Sequence, residues 1–100
     1  MIHPCTHLFF EALASSLRLK IVDQLIKGPA TVGELTKSLK AEQSRVSHAL
    51  TALSDCKLVT MTKDGKKRIY SVDKPIVGEI IKLVIQHEKE WCAQCARIKK

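Results

Sequence analysis

The chain has 100 residues, 45% hydrophobic and 27% charged, with 17 Lys and Arg against 10 Asp and Glu for a formal charge of +7. That balance describes one small folded domain over residues 1–100, with no room for a second core, and argues against disorder or a large multi-step enzyme. No apolar run approaches the roughly 18 residues of a membrane helix, and Met1-Ile2-His3-Pro4-Cys5 lacks the basic and apolar regions of a secretory signal, so a cytoplasmic protein with no membrane partner is expected.

No internal repeat, low-complexity tract or long linker interrupts the chain. Leu8, Phe9, Phe10 and Leu13 predict a short first helix. A second covers residues 16–27, with Leu17, Ile21 and Leu25 and the neighbouring Leu19, Val22 and Ile26 on its inner face; Gly28 ends it. Thr31 offers an N-cap oxygen and Glu34 follows at the capping-box spacing, predicting a third helix over about 32–39. A fourth follows almost at once over about 42–54, its apolar residues Val46, Ala49, Leu50 and Leu53 recurring at three and four. Two short helices this close read as a helix-turn-helix over residues 32–54.

The period then changes to two. Residues 57–62 and 67–72 are rich in β-branched and apolar side chains, with Asp64-Gly65 between them, which predicts a hairpin within residues 57–72. Asp73 caps a last helix over about 75–97, with Pro75 in its first turn, where a missing N–H costs nothing. The apolar residues of this helix, from Ile76 and Val77 to Trp91, Cys92 and Cys95, spread over about 200° of its circumference. An arc that wide exceeds what one small core requires, and a two-fold partner subunit is the expected cover.

Between Lys37 and Lys74 there are nine Lys or Arg and four Asp or Glu, so this segment carries +5 of the +7. A one-sided surplus on a helix-turn-helix and its hairpin is the electrostatic footprint of nucleic-acid binding. The hairpin tip holds Lys63, Lys66, Lys67 and Arg68, which reads as a wing resting on the DNA backbone or minor groove rather than as a merely solvated loop. On the fourth helix the core positions turn Gln43, Ser44, Arg45, Ser47 and His48 outward. These are the hydroxyls, amide and guanidinium that a recognition helix presents to base edges and phosphates in the major groove.

The four cysteines, Cys5, Cys56, Cys92 and Cys95, sit in a chain expected in a reducing compartment, where spaced cysteines are more often metal-binding or redox-active than disulfide-bonded. Only Cys92 and Cys95 form a Cys-x-x-Cys pair, so a zinc ribbon, which needs two such pairs, is excluded.

The run Leu13-Ala14-Ser15-Ser16-Leu17-Arg18-Leu19-Lys20-Ile21, then Val32-Gly33-Glu34-Leu35, Gln43-Ser44-Arg45-Val46-Ser47-His48-Ala49-Leu50, Leu58-Val59 and Ile69-Tyr70-Ser71-Val72 resemble the ArsR/SmtB family of winged helix-turn-helix repressors. The resemblance covers about residues 8–95, and its specific part is the recognition-helix block. It implies an α+β fold, mostly α with a β-hairpin wing, in the order α-α-α-α-β-β-α. It further implies a homodimer held by the first and last helices, where Phe9, Leu13, Ile80, Val84, His87 and Trp91 would meet the partner. The function it implies is binding to an inverted-repeat operator in double-stranded DNA, with release by an effector. Two residues depart from the family pattern. Lys40 stands where Gly is usual between the third and fourth helices, so a left-handed turn there would carry about 1 kcal/mol of strain. Glu42 replaces the common Ser at the start of the recognition helix, weakening the cap and its phosphate contact.

Metal ions are the family's best-known effectors, so its sites can be tested position by position. Thr31 stands where a thiolate would precede Val-x-Glu-Leu, which removes the site on the third helix. His87 and Glu90 match half of the site on the last helix, but Lys74 and Ile76 occupy the other half and cannot ligate. What remains is His3, Cys5 and His7 near one end and Cys92 and Cys95 near the other. Cys92 and Cys95 lie about 60° apart around a helix and reach one ion together, whereas His87 is about 12 Å along the axis from Cys95. With the first and last helices antiparallel, Cys5 would complete a three-thiolate site for arsenite, Cd(II) or Cu(I), an effector rather than a required cofactor. A thiol redox or persulfide switch and plain apolar packing are the other readings of the same cysteines. Cys56 reads as structural, His87 as an interface residue, and His3 and His7 as parts of a frayed end.

An enzyme built on Cys-x-x-Cys is disfavoured, because a helix C-terminus opposes the thiolate. An effector-independent DNA-binding protein and a winged protein–protein module remain alternatives, the second opposed by the intact polar face and basic wing.

Overall fold

The computed structural model describes residues 2–91. Helix α1, Thr6–Leu13, leads directly into α2, Ser16–Lys27, whose first turn is capped by the Ser15 hydroxyl accepting the Arg18 N–H at 3.3 Å. Ile21, Val22 and Leu25 form the buried stripe of α2. Leu19, expected on that inner face, is exposed: it lies about 115° around the helix from the stripe's centre.

A short strand β1, Ala30–Thr31, opens α3, Val32–Leu39, and the capping box forms as expected. The Glu34 N–H donates to the Thr31 hydroxyl at 3.2 Å, and the Thr31 N–H donates to the Glu34 carboxylate at 2.9 Å. α4, Gln43–Asp55, follows after a three-residue turn, and Val46, Ala49, Leu50 and Leu53 are its buried face. Glu42 occupies the N-cap position without a side-chain cap bond, as its replacement of Ser predicts.

Each helix of this helix-turn-helix ends in a lysine with left-handed backbone. Lys40 has φ 54° and ψ 43°, and its N–H donates to the Thr36 carbonyl. After α4, Lys57 has φ 63°; its N–H donates to Ser54 O at 2.9 Å and the Leu58 N–H to Leu53 O at 3.0 Å, which is a Schellman ending with Leu58 and Leu53 both buried. Glycine meets this conformation without a Cβ clash. Lys40→Gly and Lys57→Gly are therefore each expected to raise stability by about 1 kcal/mol, read as an upward shift of the urea midpoint at constant m value.

The Schellman turn also delays the next strand by two residues from its expected start. β2 is Val59–Asp64 and β3 is Lys67–Val72, paired antiparallel from Val59↔Val72 to Asp64↔Lys67 around Gly65-Lys66. Gly65 at φ 68° with no positive φ at Lys66 is the sign pattern of a type II′ hairpin turn. β1 adds to the free edge of β3, Ala30 opposite Tyr70, so the sheet order is β1-β3-β2 rather than a lone hairpin. A two-residue strand has no period to read, which is why the sequence pattern misses it.

Asp73 caps the last helix through its carboxylate, which accepts the Ile76 N–H at 3.4 Å. The first turn, Lys74–Gly78, is π-helical and places Val77 in the core; α5 proper is Glu79–Trp91. No helix among the described residues is long and apolar enough to cross a membrane.

Candidate nucleic-acid interface

The core decides how α4 presents itself. With Val46, Leu50 and Leu53 fully buried, Ser44 and His48 stand exposed near the crest opposite, and Gln43, Ser47 and Thr51, four apart, form one flanking row. That row lines a groove of about 740 Å³ between α4, the start of α3 and the hairpin, whose other walls include Lys37, Lys66, Lys67 and Arg68. The expected recognition residues Gln43 and Ser47 thus share one concavity with three of the four expected wing cations. Lys63 is exposed and sits directly across the ladder from Arg68. Like charges facing across a β-ladder destabilise the free protein, and an anion held between them would relieve this pair.

Arg45 faces away from this groove, and His48, near the crest, borders the same side. They line the opposite flank of α4, beside Ser15 and Arg18 at the start of α2. Thr51 and Lys37 are among the groove residues outside the expected set. Thr51 continues the Gln43–Ser47 spacing by one more turn and was legible in that period. Lys37 is carried to the groove only by the packing of α3 on α4.

Four cations, Lys37, Lys66, Lys67 and Arg68, line this groove against one acidic residue, Glu34, whose carboxylate accepts the Thr31 N–H. Among the described residues the ion pairs are Lys27–Asp23 and Lys82–Glu79, both at 4.0 Å and exposed on α2 and α5. No carboxylate lies within 4.0 Å of the basic groups of α4 or the wing among the described residues. An array of unneutralised cations around a polar helix face suits a polyanion of regular shape.

Of the residues expected to meet a partner subunit, Leu13 is instead buried in this chain's own core and Phe9 packs on the core's edge, edge-on to Phe10 at 5.3 Å. α1 needs those side chains to cover α2 and α4, and it leaves Leu8 and Phe10 exposed in their place. On the last helix Ile80 is half-buried and Val84 and His87 are exposed, with Leu83 59% and Ile85 45% accessible beside them. The side chain of Trp91 lies outside the described residues.

Cys5 is exposed at the N-cap of α1, its N–H donating to His3 Nδ1 at 3.0 Å, and His7 Nδ1 lies 3.1 Å from Pro4 O. Cys56 is half-buried, its thiol 3.8 Å from the carbonyl of Leu8, in keeping with a structural role. Cys92 and Cys95 lie outside the described residues. Among the described residues no group of three His, Cys, Asp or Glu side chains is placed to hold a metal ion.

Comparison with known proteins agrees with this geometry. Residues 15–61 match the family model "Bacterial regulatory protein, arsR family". The chain is 40% identical over 85 residues to the "Probable mercury resistance operon repressor" of Streptomyces lividans, covering 80% of this chain and 68% of that one. It is 33% identical over 91 residues to the "Arsenical resistance operon repressor" of Staphylococcus aureus, covering 89% and 86%. The solution structure of the homodimeric winged helix-turn-helix DNA-binding domain of Mb0332 from Mycobacterium bovis superposes with a TM-score of 0.78 at 26% identity, over 85% of this chain and 79% of that one. Helix-turn-helix, basic wing and kinship together identify the chain as a member of the ArsR family of bacterial regulatory proteins.

Proposed function

We propose that this regulator is a homodimeric repressor of the cytoplasm that binds an inverted-repeat operator and leaves it when an effector binds. The observation that carries the reading is the groove in which the α4 row Gln43, Ser47 and Thr51 faces Lys66, Lys67 and Arg68, with no carboxylate within 4.0 Å of those cations among the described residues. In this reading Gln43, Ser44, Ser47 and His48 meet base edges, and Lys63, Lys66, Lys67 and Arg68 hold backbone phosphates. Two copies joined through the apolar faces of α1 and α5 would present two α4 helices to successive major-groove turns, which is why the operator is an inverted repeat.

The effector proposed is a thiophilic ion, arsenite, Cd(II), Cu(I) or Hg(II), held by Cys92 and Cys95 with Cys5. The support is the thiol set itself and the mercury and arsenic in the names of two relatives. The test is fluorescence anisotropy of a duplex taken from the region upstream of the protein's own gene, with reduced protein and each ion in turn, then a disulfide oxidant. Release by one ion, abolished in Cys92→Ser/Cys95→Ser, is the expected result. Binding indifferent to every agent would remove the thiol effector, and absence of specific binding would remove the repressor reading itself.

A further inference from the structure

Resting on the DNA-binding reading above, we propose that the cleft between the start of α2 and the far flank of α4 is a second seat for the DNA backbone, in which Arg18 and Arg45 hold phosphate. This cleft, about 450 Å³, is bounded by Ser15, Leu17 and Arg18 on one side and by Arg45, His48 and Ala52 on the other. Arg18, Arg45 and His48 line it, and no acidic side chain does among the described residues; Glu11 and Asp55 line the adjoining hollow, which Arg18 and Ala52 also border.

The two arginines are unlike. Arg45 is exposed and, among the described residues, makes neither an ion pair nor a side-chain hydrogen bond. Arg18 is half-buried and held in place: its Nη1 donates to the carbonyls of Glu11 at 3.3 Å and Ala12 at 3.2 Å, in the last turn of α1. Those two bonds immobilise the guanidinium without neutralising it, because no carboxylate lies within 4.0 Å among the described residues. A fixed, partly desolvated cation of this kind is ready for an anion that arrives from outside, and a guanidinium matches phosphate oxygens through its paired N–H groups.

Helix geometry separates the two seats. Arg45 projects about 160° around α4 from Ser47, so it cannot reach the backbone that the wing-side groove would hold. A major groove about 12 Å wide is bounded by two phosphate backbones, one on each flank of a helix lying in it. The wing-side groove would take one, and the α2 side would take the other. Ala49 and Ala52, without long side chains, leave room for that approach. Arg45 thereby becomes a backbone-holding residue rather than a base reader, and Arg18 joins it. Because Arg18 also ties down the end of α1, a phosphate held there is mechanically linked to the helix expected to carry the partner subunit.

The test is a set of anisotropy titrations from about 50 to 300 mM salt, on the upstream duplex and on a scrambled duplex of equal length, with the parent protein, Arg45→Gln, Arg18→Gln and Arg18→Lys. A lost phosphate contact makes the log–log salt slope shallower by about 0.9, an affinity loss of about eightfold at 0.1 M salt. Arg45→Gln is expected to show that change by the same factor on both duplexes. Loss confined to the upstream duplex would return Arg45 to base reading and overturn the proposal, as would no loss on either. Arg18→Lys, which keeps the charge, should retain more of the slope than Arg18→Gln. Equal slopes for both and for the parent, with a lower unfolding midpoint alone, would reduce Arg18 to a tie between helices. Failure of the parent protein to bind either duplex would overturn the DNA reading as well; normal parent binding with unaltered variants would overturn only the second seat.

Discussion

Leu50→Ala is expected to destabilise the protein by about 3–4 kcal/mol. Leu50 is 0% exposed on the inner face of α4, in one cluster with Val46, Leu53, Ile21 and Leu25. Truncation removes the transfer free energy of the buried side chain and leaves a cavity that α2 and β2, both packed on α4, close only in part. A domain of this size has a total stability of about 5–15 kcal/mol, so the loss is a large share and corresponds to roughly 15–25 °C in the unfolding midpoint. Thermal and urea unfolding measure it, at fixed protein concentration because a dimer's midpoint depends on concentration. A loss below about 1 kcal/mol would mean that α4 is not seated through this residue. The same variant ties fold to function: below its lowered midpoint it should still bind DNA, since Leu50 touches only the core and its role is to hold Ser44 and His48 outward.

The largest effect on binding is expected from neutralising the wing. Lys66, Lys67 and Arg68 line the groove opposite α4, without a carboxylate within 4.0 Å among the described residues. Replacing all three with Ala removes up to three phosphate contacts at about 0.9 each in the log–log slope. That makes the slope shallower by about 2.7 and weakens binding about 500-fold at 0.1 M salt. The loss should be nearly the same on operator and scrambled duplexes, because phosphates carry no sequence information. Folding should be preserved: Lys66 is in the turn, and Lys67 and Arg68 are exposed strand positions whose backbone pairing with Asp64 and Lys63 does not depend on their side chains. Relief of the Lys63–Arg68 like-charge pair favours the variant's stability slightly. An unchanged salt slope would show that the wing does not rest on DNA.

The bounds of α2 and α3, the capping box of Thr31 and Glu34, the Asp73 cap, the left-handed Lys40 and the missing cap at Glu42 were all legible in the amino-acid sequence. Each is set by contacts within about one helical turn, where residue type and spacing are sufficient. The polar face of α4 was legible for a related reason, because the apolar period fixes which side of a helix is turned away from the core.

Periodicity says that a face is buried and leaves open what it is buried against, so everything decided by distant contacts waited for the tertiary structure. The pairing of β1 with β3 joins residues about forty apart in a strand too short to have a pattern. The same holds for Leu13, which looked like an interface residue on an apolar helix and is spent on the chain's own core, and for Leu19, which looked buried and is not. Only the packing of α2, α3 and the hairpin around α4 sorts its outward residues into a wing-side row and an α2-side pair, brings Lys37 to the first and fixes Arg18 beside the second. The sequence by itself determined that a helix-turn-helix with a basic wing would form, through local caps and periods. The tertiary structure decided which cations share a concavity, because that depends on how separate elements pack and not on any spacing along the chain.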